Sequence, residues 1–65
     1  MTATTTVSDI LRTIRSTRKK RGYTQAEMAD KMCIAELAYR RMEKGVTKLD
    51  AGRLIEIIGI LEIEI

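Results

Sequence analysis

The sequence has no proline, histidine, tryptophan or phenylalanine, and only one cysteine. With no histidine and Cys33 as the lone thiol, a cysteine- and histidine-rich metal site and an internal disulfide are both excluded. There is no glycine-rich phosphate loop, and 65 residues leave little room for a substrate pocket. An enzyme is therefore not expected, nor a cofactor or a bound metal. Without phenylalanine or tryptophan, the core must come from Ile, Leu, Met, Val and Ala, with Tyr23 and Tyr39 as its only aromatic candidates. Few β-branched runs precede the C-terminus, so composition favours helices. The lone cysteine fits a reducing cytoplasm, the expected location. A membrane-spanning run is missing as well. The longest apolar stretch, Leu54 to Ile65, is too short and is broken by Glu56, Glu62 and Glu64. The polar, Thr-rich Met1–Thr6 does not resemble a signal peptide.

What is present points to a single small domain whose core is marginal alone, a shortfall that oligomerisation often makes up. Net charge is +3, but it is unevenly spread. Arg12, Arg15, Arg18, Lys19, Lys20 and Arg21 crowd the first third, while Glu56, Glu62 and Glu64 lie near the end. This asymmetry suggests an anionic partner for the N-terminal half, although a basic run can equally be a solvated helix face.

Residues 1–7 read as a flexible leader, with the domain spanning 8–65. Ser8 is a candidate N-cap, and Ile10, Leu11 and Ile14 at helical spacing predict a first helix from about Asp9 to Arg21. Gly22 should stop it in a left-handed conformation. Thr24-Gln25-Ala26-Glu27 is a capping box that starts a second helix, with Met28, Ala29 and Met32 as its apolar face. A third helix should run from about Ala35 to Lys44, with Ala38, Tyr39 and Met42 inward, and end at Gly45. Asp50, or in competition Thr47, caps a fourth helix carrying Leu54, Ile55, Ile57, Ile58 and Leu61. Gly59 lies within it and should weaken it by up to about 1 kcal/mol relative to alanine. From Leu61 to Ile65 apolar and acidic residues alternate. That pattern reads either as a strand that could pair with its copy in a second subunit, or as a helix end whose Ile63 packs back on the core.

Two short helices joined by a tight turn are what inserting one helix into the DNA major groove requires. The first braces across the backbone, with Gln25 and its helix N-terminus near a phosphate, and the second exposes a face to the bases. Ala29 is small where the two must approach, and Ile34 and Met42 can close the core between them. The stretch Arg18-Lys19-Lys20-Arg21-Gly22-Tyr23-Thr24-Gln25-Ala26-Glu27-Met28-Ala29, followed by Glu43-Lys44-Gly45, resembles the Cro/C1-type (XRE-like) helix-turn-helix family of phage repressors and bacterial regulators. The likeness covers about Ile14 to Leu61.

The resemblance implies an all-α, four- to five-helix domain like that of lambda repressor, with its helix-turn-helix over residues 24–45. It implies DNA contacts from Thr24, Gln25, Glu36, Leu37, Arg40, Arg41, Lys44, Thr47 and Lys48, and a largely buried ion pair between Arg18 and Glu43. Three departures stand out. Cys33 replaces the usual turn glycine, so the turn is either strained or different, and a buried filler is the expected role for its side chain. Ala35 replaces the capping Ser or Thr of the third helix. Glu36 and Leu37 are unusual for a base-reading face, since Glu can accept only from cytosine N4 and Leu offers only apolar contact. Either Arg40 or Arg41 could bind a guanine edge.

The resulting expectation is a sequence-specific transcriptional regulator, repressor-like, binding double-stranded DNA as a homodimer. The alternative is a protein-interaction module on the same scaffold (an antitoxin, an anti-repressor or an inhibitor of a host protein), motivated by Leu37 and the apolar tail. Non-specific DNA binding through the basic first helix is a weaker third.

Overall fold

The computed structural model describes residues 6–63, which form four helices: α1 (Val7–Lys20), α2 (Gln25–Lys31), α3 (Glu36–Lys44) and α4 (Ala51–Leu61). There is no strand among the described residues. α2 and α3 pack against each other, and α1 bridges α3 and α4.

α1 starts two residues earlier than its apolar spacing predicts. Its cap is Thr6, not Ser8: the Thr6 hydroxyl accepts from the Asp9 N–H at 3.1 Å and the Asp9 carboxylate accepts from the Thr6 N–H at 3.1 Å. Asp9 thus completes a capping box rather than merely facing the helix dipole. Thr6 and Val7 therefore belong to the helix and its cap, while residues 1–5 of the expected leader lie outside the described residues. α2 has the expected box, with Thr24 and Glu27 exchanging bonds of 2.9 and 3.0 Å. Asp50, not Thr47, caps α4 by accepting from the Arg53 N–H at 2.8 Å.

All four helices close in the same way. After each, a left-handed residue (Gly22, Cys33, Gly45 or Glu62) turns the chain. The next N–H then reaches back to an orphan carbonyl: Tyr23 to Arg18, Ile34 to Ala29, Val46 to Arg41 and Ile63 to Ile58. At Gly45 a side chain is disfavoured twice over, by φ of 81° and by the Leu11 Cδ1, which would lie 3.2 Å from an added Cβ.

The core collects Leu11 and Ile14 from α1, Met28, Ala29 and Met32 around α2, Tyr39 and Met42 from α3, and Ile57 and Leu61 from α4. Three methionines in so small a core suit irregular gaps between short helices. One inward assignment does not hold. Ala38 is exposed, because the α3 residues that meet α1 and α2 are Tyr39, Met42 and Glu43. Ile55 is 69% exposed, on the side of α4 away from Ile57 and Leu61. The strand reading of the tail fails at Leu61. That residue is fully buried and helical, Glu62 turns the chain, and Ile63 packs back on the core. Glu64 and Ile65 lie outside the described residues.

Candidate nucleic-acid interface

Five of the residues expected to meet DNA share one side of α3. At 100° per residue, Glu36, Arg40, Lys44, Leu37 and Arg41 fall within a continuous arc, and all five are exposed. Tyr39, Met42 and Glu43 occupy the opposite arc and are buried. A nine-residue helix thus presents three cations, one carboxylate and one leucine outward while its back is fixed in the core. Leu37 is 54% exposed, a large apolar side chain in an otherwise charged face.

A second group gathers beside this face. A shallow groove of about 240 Å³ runs between α3 and the start of α4, lined by Ile34, Ala38, Arg41, Met42, Thr47, Lys48, Asp50 and Arg53. It brings Arg41 together with the loop residues Thr47 and Lys48, and adds Arg53, which sequence reasoning missed. Arg53 is partly engaged, donating to Glu56 at 3.2 Å.

Behind the face lies the Arg18–Glu43 pair. The Arg18 Nε donates to Glu43 Oε2 at 2.8 Å and its Nη2 to Oε1 at 3.1 Å, with both side chains buried. The remaining guanidinium nitrogen, Nη1, donates to the Tyr23 carbonyl at 2.8 Å, just before the Thr24 cap. One side chain therefore ties the end of α1, the entry to α2 and the last turn of α3. Burial alone would raise the Glu43 pKa, but the hydrogen bonds from Arg18, and more weakly from Gln25, hold it below the ordinary carboxylate value. Tyr39 lies close to this pair, yet its hydroxyl makes no hydrogen bond of good geometry. Burial first, then the Glu43 charge, pushes its phenol pKa up, so it stays neutral.

Gln25 is partly turned from the role expected of it. Its amide Nε2 donates to Glu43 Oε1 at 3.1 Å, so it buttresses the ion pair from α2. Arg15 was not anticipated at all: its Nη2 donates to the Glu43 carbonyl at 3.3 Å, satisfying a free carbonyl in the last turn of α3. Its signal was available in the spacing, since Arg15 lies one turn before Arg18 on the same side of α1.

The turn between α2 and α3 keeps its left-handed geometry despite the missing glycine. Cys33 adopts φ of 57°, and its side chain is exposed rather than the buried filler expected. A left-handed residue at that point directs its side chain outward while Ile34, the next residue, packs on the core. Ala35 caps α3 with no side-chain bond, leaving the first amides of α3 without a side-chain partner. Lys31, the last residue of α2, places its ammonium over the Tyr23 ring at 5.0 Å from the centroid, a cation–π contact with the residue that precedes the Thr24 cap.

Comparison with known families agrees with this geometry. The family model of a DNA-binding helix-turn-helix, of the Cro/C1 type, matches residues 14–65, which takes in most of α1 and all of α2, α3 and α4. No curated protein and no solved structure matches the chain. No helix among the described residues is long and apolar enough to cross a membrane.

Proposed function

The chain belongs to the Cro/C1-type helix-turn-helix family, and from that premise we propose that it is a sequence-specific transcriptional regulator of the repressor kind. It occupies an operator as a homodimer in the cytoplasm, with α3 of each copy in the major groove of one half-site. The observation that carries this reading is the outward arc of α3: Arg40, Arg41 and Lys44 are exposed together on a helix whose back is fixed by a buried ion pair. Arg40 or Arg41 reads a guanine edge, and Lys44, Thr47 and Lys48 hold the flanking phosphates. Thr24 and Gln25 sit at a further phosphate; with one amide N–H on Glu43, the second N–H of Gln25 is free to donate there. The reading assigns no enzymatic activity.

The test is binding to DNA from its own promoter region and to random DNA over a range of salt. The proposal expects tighter binding to the specific site and a log affinity that falls steeply with log salt. Equal affinity for both DNAs would remove the regulator, and a salt slope near zero would remove DNA binding altogether.

Leu37 supports a second reading, in which the same face docks on a protein. Replacing Arg40 and Arg41 by Ala separates the two: retained biological activity favours the protein partner, and its loss favours base readout.

A further inference from the structure

The outward face of α3 carries two side chains that gain nothing from a phosphate. Arg40, Arg41 and Lys44 attract phosphates, whereas Glu36 is repelled by them and Leu37 has no group to offer them. Both misfits stand in the first turn of α3, and both are exposed. The helix dipole accounts for an acid at the start of a helix that has no side-chain cap. It does not account for the leucine beside it, which is 54% exposed.

Nor is the Glu36 carboxylate taken up inside the protein. Arg40 follows it by one turn, at the spacing where helical ion pairs form, yet the ion pairs among the described residues leave both out. Glu36 and Leu37 thus stand side by side, one with an open acceptor and one with an open apolar surface. In a recognition helix the N-terminal residues are the ones that meet base edges. Ala35, exposed and with no side chain beyond its Cβ, leaves that end of α3 clear to approach them.

The major groove offers few partners to such a pair. Guanine presents two acceptors and thymine one, and all of them repel a carboxylate. Adenine sets its N6 donor beside the N7 lone pair. Cytosine N4 is a donor with no acceptor next to it, so it alone suits Glu36 without penalty. For Leu37 the groove holds one apolar group, the thymine 5-methyl. Successive helix residues are about 1.5 Å apart along the axis, less than the roughly 3.4 Å between base pairs. Glu36 and Leu37 therefore reach neighbouring base pairs.

We infer that Glu36 and Leu37 set the sequence of the half-site: a cytosine whose N4 amino group donates to the Glu36 carboxylate adjoins a thymine whose methyl packs on Leu37. This rests on the proposed major-groove regulator and names the base edges it selects. Glu36 also works against wrong sequences. Wherever the cytosine is missing, its charge is left unpaired among phosphates and base acceptors. The two residues that weaken general attraction to DNA are thus the ones that make binding selective.

Operators selected from one random-sequence pool by the full chain, by Glu36→Gln and by Leu37→Ala test it. Neither residue belongs to the core, so helical circular dichroism should persist in both variants. The wild-type half-site should hold the adjoining cytosine and thymine. Glu36→Gln should lose the preference at the cytosine, and Leu37→Ala the preference at the thymine. On the wild-type operator, thymine in place of that cytosine should weaken the wild type by roughly 5- to 150-fold and Glu36→Gln far less. Uracil in place of that thymine removes the methyl alone and should weaken the wild type about fourfold, with Leu37→Ala unchanged. Glu36→Gln should also bind random DNA several-fold more tightly, because a like charge is gone. A wild-type half-site without the adjoining pair overturns the inference, as does an operator that both variants select unchanged. If Leu37→Ala and the wild type respond alike to uracil, the exposed leucine serves a protein contact and the inference is overturned. A pool that yields no enriched sequence for the wild type overturns the regulator reading itself.

Discussion

The two helices of the helix-turn-helix are built by different means. α2 is specified locally: Thr24 and Glu27 cap its start reciprocally, and Gly22 ends the helix before it at no steric cost. α3 begins at Ala35 with no side-chain cap, after a left-handed residue that is not glycine. Its geometry is held from a distance instead. Ile34 packs on the core, Tyr39 and Met42 are buried, and Arg18, Gln25 and Arg15 all fasten Glu43. α2 thus carries its own instructions, while α3, the helix proposed to face DNA, depends on tertiary anchors.

Removing the anchor should do the most damage. Replacing Arg18 by Met, or Glu43 by Leu, leaves an uncompensated buried charge and should cost about 3–5 kcal/mol in urea unfolding, enough to threaten the fold of so small a domain. The double replacement should recover much of that loss, because the pair itself contributes little net stability. A double-mutant cycle showing simple additivity would contradict the anchor.

Acid should expose the same dependence. The folded-state pKa values of Glu43, Glu27 and Asp9 all lie below their ordinary values of 4.5, 4.5 and 3.8. A depressed carboxylate adds stability that is full above its unfolded value and is lost as pH falls through the folded one. Stability should therefore decline below about pH 4.5. The decline should be shallower in Glu43→Gln, measured relative to that variant's own neutral-pH stability.

Smaller effects separate the two helices further. Thr24→Ala should destabilise by about 1 kcal/mol, since it removes a cap that α2 possesses. Cys33→Gly should stabilise by about 1 kcal/mol, because a left-handed backbone costs a non-glycine residue roughly 1–2 kcal/mol and glycine's extra unfolded-state freedom returns only part of it. Ala35→Ser, which supplies the cap α3 lacks, should gain about 0.5–1 kcal/mol. Should all three shift stability the same way, the distinction between the two helices would not stand.

The same division explains what was legible in the sequence. The capping box of α2, the Gly22 and Gly45 stops and the Asp50 cap are local hydrogen-bond chemistry, written in adjacent residues. The Arg18–Glu43 pair was legible only through the family pattern, because no local rule joins residues 25 positions apart. Thr6 was missed because Asp9 also reads as a first-turn acid behind a Ser8 cap; only the backbone shows which residue begins the helix. The orientation of Cys33 was hidden because its left-handed φ, not its hydrophobicity, sends the side chain outward. The alternation from Leu61 onward left a strand and a helix end both open, and the burial of Leu61 with the left-handed turn at Glu62 decides for the helix end. At Leu61 the packing of the whole domain outweighed a local signal; at Cys33 the backbone turn decided against hydrophobicity; at Thr6 two local signals competed.

The central claim is that α3 reads bases while the loop beside it only grips the backbone. The most direct measurement compares wild type, an Arg40→Ala/Arg41→Ala double variant and Lys48→Ala on an operator selected from a random-sequence pool, and on random DNA, over a range of salt. Removing the arginines should cost about 1–3 kcal/mol on the operator for each guanine edge no longer read, shrinking its advantage over random DNA. Lys48→Ala should weaken both DNAs alike and reduce the salt slope by about 1. If the arginine variant lost affinity equally on operator and random DNA, α3 would be gripping the backbone too, and the claim would be wrong at its centre.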